Sequence, residues 1–221
     1  APLPVDAFNV LLPRDLKVVG PEVDWPRVGR YVASALARVA AVGARRVVFG
    51  SGGARNVPDG FDRAQAEDQL VRFLGLLADQ AEPRAITVVI EPLNRKESNI
   101  LNDVPEAVRL ARQVNRPSIR VLADLYHMQE EGEPLADIVS NGAWLEHIHV
   151  ADSGRLAPGT GAYPYREFAR ELAAIGYGRG EWGGISVECR WQDFGREAPA
   201  AVEFLRGIWP KGDLSDERTG G

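Results

Sequence analysis

The run Ile86-Thr-Val-Val-Ile-Glu91, ITVVIE, is an unbroken β-branched stretch that ends on an acid. Its length suits a strand, and its lack of polar alternation predicts one covered on both faces, as in a parallel sheet. The same form recurs on either side of it. Arg46 to Gly50 (RVVFG), Ile119 to Asp124 (IRVLAD), Leu145 to Ala151 (LEHIHVA) and Ile185 to Glu188 (ISVE) read as further strands, with Ala7 to Leu12 a weaker sixth. Stretches of helical period separate them. Val28, Tyr31, Val32, Ala35, Leu36, Val39 and Val42 recur at intervals of three and four between Asp24, an N-cap candidate, and Gly43, a stop. Asp62 with Gln65 opens a second helix in capping-box fashion, with Ala66, Leu70, Phe73, Leu74 and Leu77 as its buried stripe. Asp103 with Glu106 opens a third. Pro134 starts a short fourth, Pro164 a fifth that stops at Gly176, and Glu197 to Trp209 reads as the closing helix. This alternation predicts an α/β fold of repeated βα units around a parallel sheet.

Composition narrows the function. The 221 residues, 45% hydrophobic and 26% charged, are enough for one core, so residues 1–210 are expected to form a single domain and 211–221 a polar tail. With 26 basic against 31 acidic side chains the net charge is −5, which gives no electrostatic reason to bind nucleic acid. Cys189 is the only cysteine, so the chain builds neither an internal disulfide framework nor a thiolate zinc cage, and a reducing, cytoplasmic setting is expected. The most apolar helical stretch, Val32 to Gly43, contains Arg38 and falls short of the roughly 20 residues that a bilayer span needs. No membrane partner is expected; a homo-oligomer is compatible with all of this. The opening Ala1 to Asp6 has no initiator Met and no basic-then-apolar order, and reads as a cut end.

In parallel α/β folds the carboxyl ends of the strands open onto the functional face. Four of those ends carry Glu91, Asp124, His149 and Glu188, with separations of 33, 25 and 39 residues that each suit one βα unit. Three carboxylates aimed at one point repel each other unless a cation lies between them. Hard oxygens with one imidazole favour Mn²⁺ first, or Mg²⁺ or Co²⁺, over a structural zinc. One such ion can hold a carbonyl and a neighbouring hydroxyl of a polyol and stabilise an enediolate as a proton leaves. Glu91 and Glu188 end strands three units apart, so one can remove a proton and the other return it.

These residues sit in segments with a family character: IEPLNRKESN (Ile90 to Asn99), DLYHM (Asp124 to Met128), HIHVADSGRLAPGTG (His147 to Gly161), the late Val187-Glu188, and the GSGGAR turn from Gly50 to Arg55. With them the chain resembles the xylose-isomerase-like TIM barrel superfamily of sugar and sugar-phosphate isomerases and epimerases, and among these the ketose 3-epimerases. The resemblance implies a TIM (β/α)8-type barrel and a metal held by Glu91, Asp124, His149 and Glu188, with the two Glu as acid/base pair. It also implies a carbohydrate substrate whose oxygens are held by Glu97, His127 and Arg155. His147 aligns beside the ligand histidine and is expected to support it. The segment Ala7 to Leu12 resembles the third barrel strand, so the first two βα strands are expected to be lacking and the chain to be incomplete at its N-terminus. Relatives in the superfamily that eliminate rather than reprotonate make a metal-dependent lyase or dehydratase of inososes, dehydroshikimate or oxidised glycosides the alternative. Endonuclease IV shares the barrel but uses several histidines for three zinc ions, whereas this chain has three His in all. A non-catalytic barrel or assembly subunit is the remaining class.

Plainer readings stand beside these. Glu97 and Arg155 can be a surface charge pair, and His127 a satisfied buried histidine. Arg55 replaces the third glycine of a dinucleotide fingerprint, so that motif is weak; Arg55 can meet a phosphate or carboxylate of the substrate, but a loop salt bridge is expected for it. Trp191 and Phe194 can wall the sugar or pack the closing helix. Cys189 should be an inert buried thiol.

Overall fold

The computed structural model describes residues 3–178 and 183–208. The expected polar tail from Lys211, and Trp209 at the end of the closing helix, lie outside the described residues. The chain divides into two compact units, Ala1–Leu122 and Ala123–Gly221.

The first unit holds β1 (Ala7–Phe8), α1 (Trp25–Ala41), β2 (Arg46–Phe49), a single turn α2 (Gly52–Arg55), α3 (Arg63–Ala81), β3 (Thr87–Ile90) and α4 (Val104–Val114). It also takes in most of β4 (Ile119–Asp124), which runs on into the second unit. β1 pairs with β2, β2 with β3 and β3 with β4, all parallel, with Val48 opposite Val89 and Phe49 opposite Ile90. Alternation sorts these side chains onto two faces. Val48, Val89 and Leu122 pack together, fully buried, while Phe49 turns the other way onto Phe73 of α3 with ring centroids 5.0 Å apart.

The helix starts follow from their caps. The carboxylates of Asp24, Asp62 and Asp103 accept from the backbone N–H of Arg27, Gln65 and Glu106 at 2.9, 2.8 and 2.7 Å, filling donors that the first turn leaves open. Every residue of the α3 stripe expected from its period is buried. In α1 the expected Val42 is instead 54% exposed, because the helix ends at Ala41 and the chain turns away at Gly43, φ +80°. β1 is shorter than the expected Ala7 to Leu12. Val10 adopts φ +52°, which breaks the strand, although Leu11 N–H still donates to Val48 C=O at 3.3 Å.

The second unit holds α5 (Leu125–Glu131), α6 (Ala136–Asn141), β5 (Leu145–Val150), α7 (Tyr165–Ala174), β6 (Ile185–Val187) and α8 (Phe194–Ile208). β5 and β6 are parallel, with His149 opposite Ser186. Sequence period did not reveal α5, which follows β4 with no linker. The last strand residue, Asp124, is itself the N-cap and accepts from Tyr126 N–H at 2.8 Å. α8 starts three residues before the expected Glu197, with Asp193 accepting from Arg196 N–H at 3.2 Å. Among the described residues the strands number six, and no helix is long and apolar enough to cross a membrane.

Candidate metal centre

In the second unit, the ends of β4, β5 and β6 bring Asp124, His149 and Glu188 together. Each offers one ligand atom within 4.8 Å of the others. Asp124 divides its two oxygens: Oδ1 caps α5, and Oδ2 lies 3.9 Å from His149 Nδ1 and 3.7 Å from His127 Nε2. His149 is fully buried, and its Nδ1 is 3.3 Å from Glu188 Oε2. Donors about 2.1 Å from a shared octahedral ion stand about 3 Å apart, so these spacings suit one divalent cation. Two hard oxygens and an imidazole are also the donor types such an ion takes.

Neighbouring groups fix these side chains. Glu188 lies two residues beyond Ser186 on the same strand face, and Ser186 Oγ is 2.8 Å from His147 Nε2. His147 stands edge-on to His149, ring centroids 5.3 Å apart, and so packs against it. Arg155 Nη2 donates to Glu188 Oε2 at 3.0 Å, and its guanidinium stands 5.1 Å from the ring centroid of Tyr126. Burial opposes ionisation of Glu188. The hydrogen bond and charge of His149, followed by those of Arg155, overcome it and draw the carboxyl down to about 2.

Arg155 itself adopts φ +60° in the loop after β5. Buried Asp152 ties that loop down by accepting from the N–H groups of Ser153, Gly159 and Tyr163 at 2.8, 3.0 and 3.2 Å. Sequence reasoning singled out neither Asp152 nor Tyr126. Their signal was position alone, just past a strand end. Trp191 meets Phe194 edge-on at 5.3 Å, and Phe194 is 66% exposed. Cys189 is half-buried rather than buried, and its free thiol is pushed up by burial and then by the charge of Glu197.

In the first unit Glu91 follows β3 directly and is buried, while Glu97 lies exposed on the loop beyond it and accepts from Asn94 Nδ2 at 3.2 Å. The expected salt bridge of Arg55 is not what forms. Arg55 is fully buried, and its guanidinium donates to the backbone carbonyls of Phe49 at 2.9 Å, Glu91 at 2.7 Å and Leu101 at 3.4 Å. A planar guanidinium fork can serve several carbonyl oxygens at once, and here it takes main-chain acceptors in place of a carboxylate. Burial draws Arg55 down to about 10, so it stays charged at neutral pH.

Parallel βα units with candidate metal donors at their strand ends define a protein of the α/β-barrel class. The chain belongs to the xylose isomerase-like TIM barrel family, whose model matches residues 20–208. It is 30% identical to a D-psicose 3-epimerase of Enterocloster bolteae over 167 residues, 67% of this chain and 54% of that protein. It is 34% identical to a ketose 3-epimerase of Arthrobacter globiformis over 105 residues, 47% of this chain and 36% of that one. The chain thus spans about half the length, or less, of the curated relatives it matches. The solved D-allulose 3-epimerase from Methylomonas sp. superposes with a TM-score of 0.79 at 24% identity, over 87% of this chain and 73% of that one, and so shares the fold.

Proposed function

We propose that this chain carries the metal and proton-transfer groups of a divalent-metal-dependent isomerase or epimerase acting on a keto-sugar, keto-polyol or sugar phosphate. The observation that carries the reading is the Asp124, His149 and Glu188 set at strand ends, with Arg155 bonded to Glu188. The names of the similar proteins, D-psicose 3-epimerase and ketose 3-epimerase, point the same way.

Glu91, Asp124, His149 and Glu188 would hold the ion, Mn²⁺ before Mg²⁺ or Co²⁺. When bound it supplies positive charge that acidifies the C–H beside a ketose carbonyl and steadies the oxygen that becomes negative. Glu188, paired with Arg155 at 3.0 Å, is in the ionised state that accepts a proton from that carbon. Glu91, at the end of a different strand, gives a proton that it carries to the opposite side of the carbon, which inverts it, and the two carboxyls then regain their starting states by proton exchange with water. Arg155, His127 and Glu97 hold the sugar oxygens, which fixes which carbon meets the bases.

The test is wash-in of solvent deuterium into D-psicose or D-fructose by the purified chain with Mn²⁺. Exchange is expected in the wild type, with a loss of about 10²-fold or more in Glu188→Gln. Full exchange by Glu188→Gln overturns the proposal. An absorbing enone formed from an inosose, with no exchange into ketoses, replaces it with a lyase.

A further inference from the structure

The turn after β2 stands against Glu91 through two residues that the mechanism does not use. Gly50 is two residues beyond Val48, and Glu91 two beyond Val89, so both continue the face on which that pair packs. Register places them side by side across β2 and β3. A methyl group built on Gly50 would overlap Glu91 Oε2 and lie 2.9 Å from its Cδ, so the carboxylate occupies the space that glycine leaves. The backbone of Gly50 has no positive φ that would require glycine for itself. Arg55, at the other end of the same turn, holds the main-chain carbonyl of Glu91 at 2.7 Å and that of Phe49 at 2.9 Å with one buried guanidinium. The guanidinium itself stands over the Phe49 ring, 5.4 Å from its carbon to the centroid. One residue thus fixes the backbone from which Glu91 springs, and the other fixes how far its carboxylate lies back over β2.

We infer that Gly50 and Arg55 are positioning residues for Glu91: Arg55 sets its main chain, Gly50 gives its carboxylate room, and together they aim it as a metal donor and proton carrier. The inference rests on the function proposed above and deepens it. A Cβ at position 50 would push the carboxylate off its present line without opening a cavity or straining the backbone. Loss of the Arg55 fork would free the segment from which the side chain starts.

The experiment measures Mn²⁺ affinity of the full chain by calorimetry, alongside thermal unfolding, for wild type, Gly50→Ala, Arg55→Lys and the control Gly75→Ala. Gly75 lies in α3 with nothing within 4 Å of an added Cβ. Gly50→Ala is expected to unfold at the wild-type temperature yet bind Mn²⁺ about tenfold or more weakly, as for other groups that orient a ligand. Arg55→Lys keeps the charge but not the fork and is expected to weaken Mn²⁺ similarly. Gly75→Ala should bind Mn²⁺ as wild type does and unfold at or slightly above the wild-type temperature, since alanine favours the helix interior. The decisive arm repeats Gly50→Ala and Arg55→Lys in a Glu91→Gln background, where both losses should disappear because they act through that carboxylate. Wild-type affinity in Gly50→Ala, or a loss that persists without the Glu91 carboxylate, overturns the inference alone. A wild type that binds no Mn²⁺ overturns it together with the function on which it rests.

Discussion

Arg155 shows how one side chain can serve two ends. Its guanidinium donates to Glu188 Oε2 and stands over the Tyr126 ring, so the cation is fixed from two directions while its loop is fastened by Asp152. A half-buried arginine held in this way keeps Glu188 ionised, and in the function proposed above it also meets a sugar oxygen. Arg155→Met is therefore expected to lower solvent exchange into a ketose by about 10²-fold, by loss of both the base's partner and the substrate contact. Arg155→Lys should recover only part, since an ammonium keeps the charge but neither the planar stack nor the fork. Exchange rates near wild type in Arg155→Met would reduce the residue to an ordinary surface charge. At this scale the sequence was legible wherever chemistry follows from residue type and strand position, as for Asp124, His149 and Glu188. It was not legible for Arg55, whose carbonyl partners at Glu91 and Leu101 lie 36 and 46 residues away. No local pattern announces a cation that binds backbone.

Elements could be read from sequence to the extent that each carried its own boundary signal. Asp24, Asp62 and Asp103 all cap the helices that their spacing predicted, because a carboxylate one residue before an apolar-periodic run has few other local uses. α5 escaped because Asp124 is at once the last residue of β4 and the cap of the helix, leaving no linker to mark the change of period. β1 was read too long because nothing in the residue type of Val10 foretells φ +52°. The caps have a measurable share in stability. α3 buries Ala66, Leu70, Phe73, Leu74 and Leu77, so its first turn closes a large part of the first unit's core. Asp62→Ala leaves the Gln65 N–H without its acceptor and should cost about 1 kcal/mol, read as a lower urea midpoint with an unchanged slope. Asp62→Asn, which keeps an acceptor oxygen, should restore most of it. Equal losses in the two variants would mean that charge at the helix start, rather than the hydrogen bond, is what matters.

For the molecule as a whole, a net charge of −5 means that divalent cations are drawn to it whether or not a site exists. Bound metal alone is thus weak support for a centre, whereas a linkage that depends on one carboxylate is strong support. A ligand that binds only the folded chain stabilises it by about 2.7 kcal/mol at a hundred times its dissociation constant, and by about 1.4 kcal/mol for each further tenfold. The urea midpoint should therefore rise steadily with Mn²⁺ in the wild type. Asp124→Asn separates site from general attraction. It alters the net charge by one unit, and its side-chain oxygen can still accept from Tyr126 N–H to cap α5, while the donor oxygen facing His149 is lost. Its stability without metal should stay close to wild type, and its rise with Mn²⁺ should be much shallower. Parallel responses in the two proteins would show that the cation is held by overall charge, and the acids at the strand ends would then be structural groups without a metal to share.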